Sequence, residues 1–208
     1  MKNFLLLILI IISVFGCQSK EEKAIELIKN DMFKVLYDFN SYEPIETQID
    51  SAFNSIYTDS LMLALAYNLN HLLEAAEKYL SEKESAERDM RIWENNYSVY
   101  ARQKFNEAKN DVDESLEKMQ ASLEIIENLS SQMQKRKEQI SSDFCGWKVV
   151  HKFRAKTKGG LSDIGNYMYI FDDKITAINY KEDLNDKEYA HLKSIIKEVV
   201  DRIPQSHQ

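Results

Sequence analysis

The chain has 208 residues, a formal net charge of −7 and only two cysteines. An acidic balance argues against general nucleic-acid binding, which depends on Lys and Arg neutralising phosphates. The length is sufficient for a real hydrophobic core but fits one domain, or one domain with an appendage.

The N-terminus has the three parts of a secretory signal. Lys2 gives a charged start, residues 4–15 are apolar except for one serine, and Gly16 is a small residue directly before Cys17. An apolar run of this length is too short to cross a hydrocarbon core of about 30 Å as a helix. Residues 1–16 are therefore predicted to be a cleaved signal peptide rather than a permanent membrane span.

The residues Val14-Phe15-Gly16-Cys17 resemble the lipobox of bacterial lipoproteins. In that family an aliphatic residue at minus three and a small residue at minus one precede the modified cysteine. Phe15 departs from the usual small residue at minus two, and the alternative is a secretory signal cleaved elsewhere. The resemblance implies that Cys17 carries lipid and anchors the mature chain to a membrane. Cys145 then stands alone and forms no internal disulfide.

The tract Lys20-Glu21-Glu22 lies directly behind this cysteine. It looks like the export signal with which some Bacteroidota send lipoproteins to the cell surface. The resemblance implies a lipid-anchored outer-membrane protein displayed at the surface. The alternative location is the periplasm-facing leaflet of the membrane.

Residues 45–145 contain no glycine or proline, which is typical of long helices. A shorter helix is predicted before them, from Glu21 to Phe39, in a segment 17–58 that also serves as linker. The following segment, 59–145, is predicted to be a long antiparallel hairpin. Its first helix has one apolar face, formed by Met62, Leu65, Leu69, Leu72, Ala76 and Tyr79 or Leu80.

The second helix of this hairpin has apolar residues at strict seven-residue intervals, which predicts a coiled-coil-like helix. They are Phe105, Val112, Met119, Ile126, Met133 and Ile140, with Leu116, Leu123 and Leu129 between them. The reversal of the chain is expected at 81–89 or at 94–96.

From Gly146 the apolar pattern alternates, which is typical of β-strands. Segment 146–208 is predicted to be a three-stranded antiparallel meander closed by a C-terminal helix from Asp186 to Ile203. The expected fold class is therefore α+β, mostly α.

Two residues invite a catalytic interpretation. His151 lies on the inward face of a predicted strand, where a histidine is either a general base or a hydrogen-bonded core residue, and the core role is favoured. Cys145 lies near it in sequence, but a lone cysteine is more often a small buried apolar residue. His71 lacks the second histidine of a zinc-binding helix. We therefore predict no catalytic residue, no metal site and no cofactor.

Four basic residues, Lys148, Lys152, Arg154 and Lys156, alternate onto one face of the first predicted strand of this segment. Such a face could bind an anionic ligand. The same pattern also describes a solvated face that complements acidic groups of the chain, and this is the favoured interpretation.

The combination of lipobox, long helices and a strand module that begins Gly146-Trp147 resembles uncharacterised outer-membrane lipoproteins of Bacteroidota. This resemblance implies no activity. The sequence favours a non-enzymatic, membrane-anchored module that binds a protein or glycan partner, with no nucleic acid involved and with the oligomeric state open. The alternatives are a structural spacer that assembles through the heptad helix and, least favoured, an envelope enzyme.

Overall fold

The computed structural model describes residues 18–202. In chain order the elements are α1 (Lys20–Val35), β1 (Asp38–Phe53), α2 (Ser60–Trp93), α3 (Val99–Gln139), β2 (Phe144–Lys156), β3 (Ser162–Phe171), β4 (Ile178–Asp183) and α4 (Lys187–Asp201). They divide into two compact units: α1 and the strands form one, and α2, α3 and α4 form the other. The predicted α+β class with mostly helical content is confirmed, since 57% of the structure is helical.

A capping box starts α1 immediately after the predicted lipidation site. The Ser19 hydroxyl accepts a hydrogen bond from the backbone N–H of Glu22, whose carboxylate accepts one from the backbone N–H of Ser19. Two backbone donors at the helix start are thereby satisfied. The helix ends at Val35, earlier than predicted, because Phe39 belongs to the following strand.

The antiparallel sheet in the described residues has four strands in the order β1-β2-β3-β4, so the prediction of three strands was wrong. The additional strand is β1, in the segment expected to be a linker. Pro44 lies in β1, an edge strand, which is where prolines occur in sheets. At Gly146, where β2 pairs with β1, a side chain would collide with the Phe171 carbonyl oxygen.

Helix α1 covers one face of the sheet. Its buried residues Ala24, Ile28 and Met32 form a core with inward side chains of β2 and β3, among them Val149, Phe153, Tyr169 and Phe171. A polar contact also joins the helix to the sheet, because the Asp31 carboxylate accepts hydrogen bonds from Tyr169 Oη at 3.0 Å and from Lys181 Nζ at 2.6 Å. Apolar burial and this charged contact together hold α1 on the sheet.

Helices α2 and α3 lie side by side in the second unit. Arg136 Nη2 lies 2.7 Å from the Asp59 carboxylate, and Lys118 Nζ lies 5.8 Å from the centre of the Tyr79 ring. Later residues of α2 thus contact earlier residues of α3, so the two helices run in opposite directions. Residues 94–98 separate the two helices, so the chain reverses there. Residues 81–89, the other predicted position of the reversal, are helical.

The buried rows of α3 differ in part from the predicted ones. Met133 is fully buried and the other heptad residues are partly buried, but Leu116 and Leu123 are exposed. The second interface row consists of small side chains, namely Ala101, Ala108, Ser115 and Ser122. Small residues in this row allow the two helix backbones to approach closely.

Helix α4 packs on α2 and α3 rather than closing the sheet, which corrects the predicted location. Its residues Leu192, Ile195, Ile196, Val199 and Val200 share a core with Met62, Leu65, Leu69 and Met133. The sheet already has α1 on its inner face, whereas the amphipathic α4 needs an apolar surface. None of the helices in residues 18–202 has both the length and the apolar composition of a membrane span.

Candidate interaction surface

The four basic residues of the predicted anionic-ligand face all lie on β2, and β1 places an acidic residue opposite each of them. The register pairs Lys148 with Asp50, Lys152 with Glu46, Arg154 with Glu43, and Lys156 with Asp38. Opposite charges at paired positions of an antiparallel sheet attract each other. The pairing therefore favours a charge-balanced face. Only β1, which the sequence interpretation missed, brings the acidic residues there.

One of these pairs forms a direct ion pair. Arg154 Nη1 donates to the Glu43 carboxylate at 3.0 Å, and both side chains are about half exposed. An exposed pair of this kind stabilises little, about 0–1 kcal/mol. The pair disfavours binding of an anionic ligand to Arg154, because the ligand would have to displace the Glu43 carboxylate.

His151 is buried in the first unit and has hydrogen-bond partners on both ring nitrogens. Nε2 lies 2.7 Å from the Tyr42 hydroxyl, and Nδ1 lies 2.8 Å from the Thr47 hydroxyl. Burial lowers the pKa of His151 from its ordinary value and raises the pKa of Tyr42 to about 12. Both groups are therefore neutral at physiological pH, as expected of a histidine that organises a core.

Cys145 and His151 are not brought together. They lie six residues apart on β2, a separation of about 20 Å at 3.3 Å per residue. Burial raises the pKa of the Cys145 thiol, which disfavours the reactive thiolate. The two residues therefore do not form a nucleophile–base pair.

Metal-ligating residues are not clustered within residues 18–202: no group of three or more His, Cys, Asp or Glu side chains is arranged to hold an ion. His71 contacts Glu74 one helical turn away, at 3.5 Å, and both are exposed. This is an ordinary contact on a helix surface.

The connection between α2 and α3, together with the helix ends that flank it, exposes four large apolar side chains. Tyr97 is 92% exposed and Val99 is 86% exposed, with Ile92 and Tyr100 also exposed. We refer to the exposed side chains of Ile92, Tyr97, Val99 and Tyr100 as the apical cluster.

Local hydrogen bonds hold the backbone beneath the apical cluster. The Asn96 side chain accepts from the backbone N–H of Ser98 at 3.1 Å, and the Ser98 hydroxyl accepts from the backbone N–H of Ala101 at 3.1 Å. Ser98 is thereby the N-cap of α3. The exposed side chains consequently project from an ordered turn.

Aromatic rings extend the apical cluster onto both helices. The rings of Trp93 and Tyr100 are 5.6 Å apart and nearly perpendicular. A cavity of about 160 Å³ lies beside Trp93, with walls that include Phe105, Tyr97 and Arg102. Exposed Tyr side chains beside a partly buried Trp and an Arg are typical of protein-binding surfaces.

The sequence contains a signal for this surface that the interpretation of the reversal did not use. The run Ile92-Trp93 and the run Tyr97 to Tyr100 flank the polar residues 94–96. A turn needs polar residues and helix caps, but it does not need exposed aromatic rings. The large apolar residues that flank this reversal are therefore the sequence signal for an exposed apolar surface.

Cys17 lies outside the described residues, but the structure begins directly behind it. Lys20 Nζ lies 3.5 Å from the centre of the Trp147 ring. Trp147 contacts Phe144, which in turn contacts Phe53, with ring centres 5.6 Å and 6.2 Å apart. Both phenylalanines are about half exposed. The start of α1 therefore lies beside an exposed aromatic cluster.

No protein-family model, curated protein or solved structure matches the chain.

Proposed function

We propose that the chain is a lipid-anchored protein of the cell envelope and that it works as a non-enzymatic binding module. The apical cluster carries the binding part of this proposal. Apolar side chains that are almost fully exposed on an ordered turn are costly in water and are common where a protein contacts a partner. The aliphatic side chains of Ile92 and Val99 favour a protein partner over a glycan.

The helix pair also supports the binding proposal, because the apical cluster lies where its two helices are connected. We propose that α2 and α3 form a coiled-coil-like hairpin that presents the apical cluster. The two rows of α3 that face α2, the seven-residue apolar row and the row of small side chains, are partly or fully buried by contacts within the chain. This favours a binding module over a spacer that oligomerises through those rows.

The anchoring part of the proposal depends on Cys17. Only Gln18 separates this cysteine from the helix cap at Ser19, so the proposed anchor is close in sequence to the folded unit. Trp147, whose ring lies beside Lys20, is of the residue type that prefers the membrane–water interface. These features support a chain held close to the outer membrane, and we propose the cell surface as the face it occupies.

Photocrosslinking in intact cells tests the binding proposal. A photoreactive residue in place of Tyr97 should give a discrete protein adduct, and the substitutions Val99→Ser and Tyr100→Ser should remove it. The control has the same photoreactive residue in place of the exposed Glu117 on α3. The proposal is wrong if position 97 gives no adduct, or only adducts that position 117 also gives.

Protease added to intact cells tests the location. Surface display predicts that the protease removes the chain while proteins of the periplasm stay intact. A chain that is degraded only after the outer membrane is opened lies on the periplasmic face.

A further inference from the structure

One flank of the α2–α3 pair carries a row of exposed leucines, which we call the leucine row. Two lie on each helix with a spacing of seven residues, and each is between 38% and 47% exposed: Leu73, Leu80, Leu116 and Leu123. A row of this kind on a helix surface is uncommon unless another element covers it.

The four leucines lie together on one side of the helix pair. Each directly follows a residue of the α2–α3 interface, as Leu80 follows Tyr79 and Leu123 follows the buried Ser122. In an antiparallel pair, positions of this kind on the two helices meet along one flank. Because Tyr79 contacts Lys118, Leu80 lies level with Leu116 and Leu73 with Leu123.

Helix α4 lies on the same flank, further along the pair. His191 is hydrogen-bonded to Asn70 at 2.9 Å, and Gln134 and Lys137 donate to the last carbonyl groups of α4. Asn70 and Leu73 are one turn apart on this flank. Helix α4 begins at Lys187, one turn from His191. It therefore reaches about the level of Leu73 and does not extend further along the leucine row.

The borders of the leucine row are acidic. Glu77, Glu84, Asp113 and Glu127 are exposed and lie next to the leucines on the outer side of each helix. An occupant with Lys or Arg along its edges would match these carboxylates. A second copy of this chain would bring the same acidic borders to the contact, which disfavours it.

We propose that the leucine row is a docking site for the apolar face of a basic amphipathic helix of another protein. That helix packs along the leucine row and forms a three-helix arrangement with α2 and α3 there. This inference depends neither on lipid at Cys17 nor on binding at the apical cluster, so it can fail or hold separately from them.

A model helix tests the docking site. The probe is a fluorescent synthetic helix with a leucine face and lysine edges, and its binding to the full chain in mild detergent is measured by anisotropy. The double variant Leu80→Glu, Leu123→Glu should bind at least about tenfold more weakly, as expected for loss of central apolar contacts. The control Leu161→Glu changes a leucine that is 75% exposed in the other unit, and it should bind as the unchanged chain does.

Two further outcomes decide the chemistry of the occupant. A probe with glutamate edges and the same leucine face should bind at least about tenfold more weakly than the lysine probe. Equal binding of both probes, or equal binding by the double variant, would overturn the proposal. Sedimentation of the full chain supplies the other check: a dimer that the double variant dissociates would make a second copy the occupant.

Discussion

A buried histidine is compatible with a stable core when its ring nitrogens have partners, and Tyr42 and Thr47 supply them to His151. The sequence placed His151 on the inward face of a strand and favoured the core role. It could not identify the partners, because both belong to β1, a strand with few apolar residues that was taken for a linker.

Removal of the Tyr42 hydroxyl tests this arrangement. Tyr42→Phe leaves one buried ring nitrogen of His151 without a partner, and it should lower the free energy of unfolding by about 1–3 kcal/mol. Urea denaturation measures the loss. The control Tyr37→Phe alters a tyrosine that is 71% exposed and should change stability by less than about 0.5 kcal/mol. Equal stability of the two variants would contradict the core role of His151.

The pH dependence of stability gives a second test of His151. Burial lowers its pKa from 6.5, so the unfolded chain binds the proton more readily than the folded chain does. The contribution of His151 is therefore fully present above pH 6.5 and is lost as the pH falls below it. Urea denaturation between about pH 7 and pH 5 should show a steeper loss for the wild type than for His151→Gln. Identical slopes for the wild type and His151→Gln would contradict the prediction.

At the scale of elements, heptad spacing was enough to predict that residues 59–145 are mainly long helices. It did not identify the second buried row of α3. Ala108 and Ser115 are small and give no apolar signal, whereas Leu116 beside them does. The sequence also did not show that α4 packs on α2 and α3. An amphipathic face shows that a helix packs against an apolar surface, but it does not show which surface.

The small row predicts how α3 responds to added volume. Ala108→Leu should force the closely packed helices apart and lower the free energy of unfolding by about 1–3 kcal/mol. Ala121→Leu adds the same side chain at an exposed position of α3, where we expect a change below about 0.5 kcal/mol. Thermal or urea unfolding compares the two variants. If both have wild-type stability, Ala108 does not lie in a close interface.

Asp59 has two roles that paired variants separate. Its carboxylate caps α2 through the backbone N–H of Met62 and accepts two hydrogen bonds from Arg136, which hold the pKa of Asp59 below its usual value. Asp59→Asn keeps a cap but loses the charge, whereas Asp59→Ala loses both. The alanine variant should be less stable than the asparagine variant by about 1 kcal/mol. Equal urea midpoints would show that the cap contributes nothing.

At the scale of the whole molecule, an acidic protein joins two units with separate cores to a proposed lipid anchor at Cys17. The long helices were predictable from the sequence because they depend on local patterns. The charge-balanced sheet face was not, because it requires β1, from residues 38–53, to pair with β2, from residues 144–156. Long-range pairing of this kind leaves little trace in a single sequence.

Anchoring beside the exposed aromatic rings predicts that Trp147 contacts the bilayer interface. In a Trp93→Phe background, Trp147 is the one remaining tryptophan of the chain. Its fluorescence in vesicles of brominated phosphatidylcholine should be quenched relative to vesicles of unbrominated lipid. Unchanged fluorescence would show that the aromatic cluster beside Lys20 stays away from the membrane.

The mass of the N-terminal peptide is the most direct measurement of the central claim, that this chain is anchored through lipid at Cys17. The full chain is expressed in a Gram-negative host and isolated from its membranes. The claim predicts a first residue Cys17 that carries a diacylglyceryl group, and loss of membrane attachment in the Cys17→Ser variant. An N-terminal peptide that begins elsewhere, or that contains an unmodified Cys17, would contradict it.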